Sequence, residues 1–331
     1  MNRRDTVIAL LALGTAGRSI VSLAQQQTKV WRVGFLGVRA IPPSPNPDPL
    51  YMAFLRNMRE LGYAEGKNLA MVWRSSDGNN ERLPKLAAEI IGLKVDVIVA
   101  PGPQAARAAQ QATGTIPIVF IGIGDPVGIG LVASLAKPGK NITGVSNLTA
   151  DLSIKSLEFL GAVVPKLSRV AVLVNPSNPI ALLVLKQVQA AAKPGGISVS
   201  AFEASSASQI EAAFTAIARV RPGALIVAPD PYYVGQARQI AELALKSRLP
   251  AIYSLNVHAE AGGMMSYGEN VAANFHRGAH YLDRILKGAR PADLPVEQPT
   301  IFELVINLKT AKALGITIPQ SVLIRANEVI R

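Results

Sequence analysis

The sequence predicts an α/β fold made of two similar lobes, each with a parallel sheet covered by helices. Two observations predict it. Short runs rich in Val, Ile and Ala alternate with longer stretches of helical periodicity, which is the pattern of parallel sheets covered by helices. The same order of strand patterns then begins again in the second half of the chain, which indicates a duplicated lobe.

The first series of elements lies in the first half of the chain. Buried runs predict strands at Val30–Gly37, Leu69–Arg74, Val95–Ala100 and Ile116–Ile121. Between them, apolar residues recur at helical spacing and predict helices at Pro49–Leu61, Leu83–Ile91 and Gln104–Ala112.

The second series repeats three of these strands in the same order and at nearly the same spacing. RVAVLV at Arg169–Val174 matches RVGFLG at Arg32–Gly37, and GALIVAPD at residues 223–230 matches VDVIVAPG at residues 95–102. LPAIY at residues 249–253 matches IPIVF at residues 116–120. Because chance matches among buried strands rarely keep both order and spacing, the chain is predicted to contain two similar lobes.

The segment after the second series is assigned to the first lobe. GGMMSYG at Gly262–Gly268 and the helix at Phe275–Leu286 fall outside the repeat and are available to complete that lobe. The predicted division is therefore residues 30–145 plus 262–300 for lobe 1 and residues 146–261 plus 301–331 for lobe 2.

The N-terminus has the pattern of an export signal at residues 1–24. Arg3 and Arg4 precede the apolar run Val7–Leu13, which is too short to span a bilayer, and Ser22-Leu23-Ala24 forms a small-x-small cleavage site. The alternative is a partly buried first helix. Both the general secretory route and the twin-arginine route of export stay open. The mature protein is expected in the periplasm, as a soluble monomer without stable membrane insertion.

Composition excludes several classes of function. The chain has no cysteine, which excludes disulfides, thiolate metal sites and a thiol nucleophile. Its net charge is +12, but the basic residues are scattered and are not interleaved with aromatic residues, so no nucleic-acid partner is expected.

Candidate binding residues follow the predicted strands, because ligands of open parallel sheets bind beyond the carboxyl ends of the strands. Backbone N–H groups at Gly102 and Gln104 can hold a carboxylate, and Asp125 or Asp230 can accept hydrogen bonds from an ammonium group. Asn175 is a further polar candidate after a strand. For the two carboxylates, the alternative role is a helix cap or turn anchor.

Three tyrosines are candidates for the wall of an apolar ligand pocket: Tyr232, Tyr253 and Tyr267. Packing in the core or on the surface is the alternative for each of them.

Catalytic and metal motifs are sparse. The three histidines lack a nucleophile context, and neither G-x-S-x-G nor a phosphate-binding P-loop occurs. His276 and His280 lie one helical turn apart, but Arg277 stands where a zinc-binding H-E-x-x-H helix has its glutamate. The alternative for this pair is a surface helix. We therefore expect no enzymatic activity, no cofactor and no metal.

Long collinear segments resemble a known family. They are RLPKLAAE at residues 82–89, VDVIVA at 95–100, GDPVG through LVASLA at 124–136, GGMMSYG at 262–268, and LPVEQPT with FELVIN at 294–307. Over essentially the whole predicted mature chain, the sequence resembles the ABC-transporter substrate-binding proteins, in the branch with tryptophan- and tyrosine-binding members.

The resemblance implies a type I periplasmic binding fold, in which two Rossmann-like lobes with parallel sheets are joined by a hinge of three crossings and the ligand lies in the cleft between them. It implies that Asp125, Asn175, Asp230 and Tyr267 are cleft positions. It also implies delivery of a small organic solute, an amino acid or carboxylate with an apolar or aromatic part, to an ABC permease and its ATPase. A ligand-sensing module for a membrane signalling protein and an enzyme on the same scaffold are the alternatives.

Overall fold

The computed structural model describes residues 29–42, 44, 47–147 and 149–331. The predicted signal peptide at residues 1–24 lies outside the described residues. Among the residues that are described, no helix is both long enough and apolar enough to cross a membrane.

The first sheet has five parallel strands in the order β2-β1-β3-β4-β5. The strands are β1 (Trp31–Gly37), β2 (Leu69–Ser75), β3 (Val97–Pro101), β4 (Ile118–Ile123) and β5 (Ile142–Ser146). The helices α1 (Pro49–Glu60), α2 (Leu83–Gly92) and α3 (Pro103–Ala112) connect the first four of them. This sheet and the helices that cover it are called lobe 1.

The second sheet has seven strands in the order β12-β11-β10-β9-β8-β6-β7, and only the β10–β11 pair is antiparallel. Its strands are β6 (Arg169–Val174), β7 (Ser198–Glu203), β8 (Ala224–Val227), β9 (Ala251–Tyr253), β10 (Met265–Glu269), β11 (Phe302–Asn307) and β12 (Glu328–Ile330). This sheet and the helices packed on it are called lobe 2.

The remaining helices follow the order of the chain. They are α4 (Thr149–Val163), α5 (Ala181–Ala192), α6 (Ala207–Val220), α7 (Pro231–Gly235), α8 (Ala237–Lys246), α9 (Asn256–Glu260), α10 (Val271–Leu286), α11 (Leu308–Ala313) and α12 (Gln320–Leu323). The predicted α/β fold of two lobes with mainly parallel sheets is confirmed.

Duplication is visible in the strand order. In lobe 1, β2-β1-β3-β4-β5 runs in the same relative sequence as β7-β6-β8-β9-β10 in lobe 2. The strands that matched in sequence, β1 with β6, β3 with β8 and β4 with β9, therefore occupy equivalent positions in the two sheets.

The assignment of residues 262–269 to lobe 1 is wrong. β10 pairs with β9, with Met265 beside Ile252, and with β11 in the seven-stranded sheet. The reason is that β5, a strand with polar and small residues that the sequence pattern did not reveal, already fills the equivalent edge of lobe 1. The backbone of β10 also lies close to the residue that follows β9, because a Cβ on Gly268 would lie only 1.8 Å from the carbonyl oxygen of Ser254.

Each sheet has a hydrophobic core on both faces. In β1, Val33 and Phe35 pack on one face and Leu36 on the other, as the two-residue period of a strand requires. α10 belongs to the first of these cores, since Phe275 and Leu282 pack with the same cluster. The chain consequently passes from one lobe to the other between β5 and α4, then between β10 and α10, and then between Glu297 and β11.

Candidate functional site

A cavity lies between the two lobes, at the carboxyl ends of the strands. It contains about 600 Å³ of atom-free space, counting its opening to solvent. Lobe 1 contributes loop residues after β1, β3 and β4, including Arg39, Gly102 and Gly124, while lobe 2 contributes loops after β6 and β8, including Asn178 and Asp230. Both lobes are needed to enclose this space.

Asp230 is the acceptor of a polar network at the cavity wall. Its Oδ2 accepts hydrogen bonds from Gln104 Nε2 and Asn178 Nδ2, both at 2.9 Å. Its Oδ1 accepts from Asn175 Nδ2 at 3.1 Å and from the backbone N–H of Tyr232 at 2.9 Å. Four donors occupy the four lone-pair sites of the carboxylate, so Asp230 has little acceptor capacity left for a ligand.

The same residue is the N-cap of α7 and is only 3% exposed. Burial raises the pKa of Asp230 above its ordinary value, although the hydrogen bonds from the three amide side chains oppose that shift. One of those bonds, from Gln104, joins the first turn of α3 in lobe 1 to lobe 2, so Asp230 also ties the lobes together.

Arg39 is a buried cation held beside the cavity. Its Nε and Nη2 donate to the two carboxylate oxygens of Asp48, the latter bond at 3.0 Å, and its guanidinium lies 4.6 Å from the ring centre of Tyr51. Burial disfavours the charged form, but Tyr51 and Asp48 reverse that effect and raise the pKa of Arg39 above its ordinary value. Among the described residues that line the cavity, Arg39 is the only cation.

Glu269 is a buried carboxylate in the cavity wall, with 2% of its surface exposed. Burial raises the pKa of Glu269 to about 8, and Asn147, Asn274 and the charge of Arg277 oppose the shift only in part. Its Oε2 makes no hydrogen bond to any of the described residues. This carboxylate differs from Asp230 in having an acceptor atom left over.

An apolar surface completes the cavity. Ile121, Val271 and Phe275 line it from lobe 1, while Ile180 and Leu255 line it from lobe 2. Among the described lining residues, Phe275 supplies the only aromatic ring. The cavity thus combines one cation, two carboxylates and an apolar wall.

Of the eight residues predicted for the site, Gly102 and Asp230 line this cavity. Gly102 adopts φ +84 at the start of α3, and a Cβ there would lie 2.5 Å from Pro231 Cγ across the lobe boundary. Gln104 and Asn175 do not line the cavity, but the side-chain amide of each donates a hydrogen bond to Asp230.

The other four lie elsewhere. Asp125 Oδ1 accepts a hydrogen bond from the backbone N–H of Gly128 at 2.7 Å, which is the turn-anchoring role considered as its alternative. Tyr253 is buried in the core of lobe 2, and Tyr267 packs against Phe159 with ring centres 5.0 Å apart.

Tyr232 faces a separate groove at the lobe boundary, where a Cβ on Gly78 of lobe 1 would lie 2.3 Å from its ring. Two further contacts link the lobes on this side of the molecule. Asn80 Nδ2 donates to Ser177 Oγ at 2.7 Å, and Arg39 Nη1 donates to the carbonyl oxygen of Pro231 at 3.4 Å. The lobes are therefore in direct contact beside the cavity.

Sequence reasoning missed Arg39, Asn147, Glu269 and Asn274. Arg39 comes just after the predicted strand Val30–Gly37, so the rule that ligands bind beyond strand ends applies to it, but a single arginine gave no further indication of a role. Asn147 and Glu269 each directly follow or end a strand at a crossing between lobes, which only the correct assignment of β5 and β10 reveals.

The two histidines of α10 are exposed and their ring centres are 4.6 Å apart. Within the described part of the chain, no group of three or more His, Cys, Asp or Glu side chains is arranged to hold a metal ion.

Comparison with known proteins agrees with this geometry. The family model described as ABC transporter substrate binding protein matches residues 37–330. A tyrosine-binding protein of Clostridioides difficile is 26% identical over 326 residues, covering 95% of this chain and 93% of that protein.

Two solved structures share the fold over nearly the whole chain. A conserved domain protein from Vibrio cholerae is 29% identical with a TM-score of 0.83, and the match covers 91% of this chain and 100% of that chain. The ABC domain from Streptococcus pneumoniae, in complex with L-Trp, is 27% identical with a TM-score of 0.82 and the same coverage of both chains.

Proposed function

Since this chain belongs to the family of ABC transporter substrate-binding proteins, we propose that it captures a small organic solute between its lobes and delivers it to an ABC importer. The proposed solute is an amino acid or a carboxylate with an apolar or aromatic part. The relatives are solute-binding proteins rather than enzymes, and we propose that this chain likewise has no catalytic activity.

The observation that carries the proposal is the composition of the interlobe cavity. Arg39 is held by Asp48 through Nε and Nη2 and by the carbonyl oxygen of Pro231 through Nη1, which leaves one N–H on each terminal nitrogen for a carboxylate. The apolar wall that includes Ile121, Ile180 and Phe275 suits a hydrocarbon or aromatic side chain. A carboxylated ligand with an apolar part therefore matches both ends of the cavity.

The proposed ligand set differs from the one the sequence predicted. Gly102 and Asp230 are kept as wall residues, and Arg39, Glu269 and Phe275 are added. For Gln104 and Asn175 we propose a supporting role, because their amides hold the Asp230 carboxylate. Asp125 and the three tyrosines are proposed to stabilise turns, cores and the lobe boundary.

Capture is proposed to proceed by closure of the lobes. The bond between Gln104 and Asp230 joins lobe 1 to lobe 2, so it forms only when the lobes are together. A ligand that contacts both walls favours the closed form, since only that form offers both sets of contacts. The closed receptor is then proposed to dock on the permease, whose transport a separate ATPase drives.

The setting of this function is also proposed. An exported, periplasmic monomer with residues 1–24 as its signal peptide fits an importer that collects solutes outside the inner membrane. No nucleic-acid partner is proposed, because the basic residues are scattered over the sequence and form no basic patch with aromatic residues. No stable membrane insertion is proposed either.

A thermal-shift screen of L-tryptophan, L-tyrosine, L-phenylalanine, L-leucine and the corresponding carboxylates tests the proposal. A ligand at a hundred times its Kd adds about 2.7 kcal/mol to the free energy of unfolding, which raises the Tm by several degrees. The variant Val234→Trp is the matched control, because Val234 lines the cavity and an indole there occupies the ligand's space.

The expected result is a raised Tm for the wild type that Val234→Trp reduces or abolishes. The proposal is contradicted if none of these solutes raises the Tm of the wild type, or if Val234→Trp responds as strongly as the wild type. Delivery is tested separately, by asking whether deletion of the gene removes uptake of the solute that binds.

A further inference from the structure

We propose that Glu269, together with Asn147 and Asn274, forms a subsite that binds a ligand's ammonium group at the hinge between the lobes. The inference deepens the proposed function and rests on it, because it selects a primary amine, hence an amino acid over a simple carboxylate. The observation behind it is that Glu269 and Asn274, which line the cavity, have buried polar atoms without hydrogen-bond partners in the described structure.

Three side chains of this cluster are buried and line the cavity. Glu269 is 2% exposed, Asn274 is 1% exposed and Asn147 is 7% exposed. Asn274 Nδ2, Asn274 Oδ1 and Glu269 Oε2 make no hydrogen bond of normal geometry within the described structure, although Asn274 lies close enough to Glu269 to lower the pKa of its carboxyl. Buried polar groups are nearly always hydrogen-bonded, so three orphaned atoms in one cavity wall indicate that a ligand supplies their partners.

The chemistry of the cluster selects a cation. A primary ammonium group has three N–H donors, and the cluster offers two unpaired acceptors, Glu269 Oε2 and Asn274 Oδ1. The competing carboxylate, Asp230, already accepts four hydrogen bonds. Of the two carboxylates in the wall, Glu269 is therefore the one with an acceptor to offer.

The cluster also lies where the chain crosses between lobes. Asn147 follows β5 at the first crossing, and Glu269 ends β10 at the second, directly before α10. α10 carries Asn274 and packs in lobe 1, whereas β10 pairs in the sheet of lobe 2. An ammonium group bound here contacts both crossings at once and stabilises their relative position, which couples recognition of the amine to closure.

Protonation of Glu269 adds a consequence for binding. Burial raises the pKa of Glu269 to about 8, against the effects of Asn147, Asn274 and the charge of Arg277. Glu269 also lines a second groove, outside the cavity, and Glu303 of β11 is a charged residue of that groove. The other charged groups near Glu269 are Arg39 and Asp230 in the cavity wall. Since the ammonium group pairs with the ionised form, binding below about pH 8 releases a proton, and affinity rises with pH up to that value.

Matched trios of small molecules test the subsite by calorimetric titration. One trio is L-tryptophan, 3-indolepropionate and tryptamine, and a second is L-leucine, 4-methylpentanoate and isoamylamine. Within each trio the side chain is kept, while the amine or the carboxylate is removed. The proteins are the wild type, Glu269→Gln and Asn274→Leu, with Glu303→Gln as a control that removes a nearby negative charge outside the cavity.

The expected result has two parts. The wild type binds the amino acid at least about tenfold more tightly than the deaminated carboxylate, and Glu269→Gln weakens amino-acid binding by about 10- to 150-fold. Asn274→Leu weakens it in the same direction, whereas binding of the deaminated carboxylate changes less than about threefold in both variants. Glu303→Gln behaves as the wild type.

Failure of the subsite and failure of the proposed function give different results. If the carboxylate binds the wild type as tightly as the amino acid, or if Glu303→Gln weakens binding as much as Glu269→Gln, the subsite is wrong and the receptor function stands. If only the amines bind, and Glu269→Gln weakens them, the subsite stands and the proposed solute class is wrong. If no probe binds, both are wrong.

The pH dependence separates the proposed ionised form of Glu269 from a protonated one. The affinity of the wild type is expected to rise between about pH 6 and about pH 8, and that of Glu269→Gln to stay level. A fall in affinity over the same range would mean that a protonated Glu269 donates to an anion, and would overturn the proposal.

Discussion

Replacement of Asp230 by alanine removes a carboxylate that accepts four hydrogen bonds and is only 3% exposed. Asn178 Nδ2 keeps a second acceptor, the carbonyl oxygen of Pro229 at 3.1 Å, but Asn175 Nδ2 loses its acceptor inside lobe 2. A buried donor without a partner costs about 1–3 kcal/mol, and the lost cap of α7 costs about 1 kcal/mol more. Asp230→Ala should therefore lower the free energy of unfolding by about 2–4 kcal/mol.

Urea unfolding followed by circular dichroism measures this difference in the ligand-free protein. Asp125→Ala is the matched control, because Asp125 also precedes a proline but makes its hydrogen bond to Gly128 in an exposed turn. Its cost should stay near 1 kcal/mol, the value of a single hydrogen bond. The reasoning is refuted if Asp230→Ala is no more destabilising than Asp125→Ala.

Three further predictions concern the lobe boundary, helix packing and pH. Gln104→Leu removes the hydrogen bond to Asp230 that joins the lobes. Calorimetry should therefore find ligand affinity reduced by about tenfold, with little change in the Tm of the ligand-free protein. Unchanged affinity would contradict a role of this hydrogen bond in closure. Gly278→Ala should destabilise by about 1–3 kcal/mol, since its Cβ would lie 2.4 Å from an isoleucine side chain of β4. Gly161 lies at an exposed helical position, where an added Cβ would have no neighbour within 4 Å, so Gly161→Ala should instead stabilise the protein by about 0.5–1 kcal/mol. If the two substitutions change the free energy of unfolding in urea equally, close packing of α10 is contradicted. The folded protein holds a proton on Glu269 up to about pH 8, whereas the unfolded chain loses it near pH 4.5, so stability should fall as pH rises across that interval. Glu269→Gln should flatten the fall, and identical pH profiles of the two proteins would show that Glu269 is not the group responsible.

Most of the fold could be predicted from the sequence because most of its buried strands are recognisable by their composition. VAVLV in β6 and VIVA in β3 are continuous apolar runs, and such runs occur where helices cover both faces of a parallel sheet. β5, with the sequence ITGVS, is equally buried but is built from Thr, Gly and Ser as well as apolar residues. Its absence from the predicted elements left an edge of lobe 1 unfilled, and β10 was assigned there.

The site was less predictable because a strand-end position does not define which way a side chain points. Tyr253 ends a predicted strand and Tyr267 lies in the segment GGMMSYG, yet Tyr253 packs in one core of lobe 2 and Tyr267 packs against the other. Asp230 was found, but its four protein donors became visible only in three dimensions. Glu269 and Asn147 belong to different lobe crossings, and only the folded chain brings them into one cavity.

A crystal structure of the wild-type protein with its tightest-binding amino acid tests the central claim most directly. The account predicts one ligand in the interlobe cavity, with its carboxylate on Arg39 and its ammonium nitrogen within about 3.2 Å of Glu269 Oε2. It also predicts that the hydrogen bond between Gln104 and Asp230 is present in that complex. A ligand bound outside this cavity, or bound while the lobes stand apart, would contradict the account.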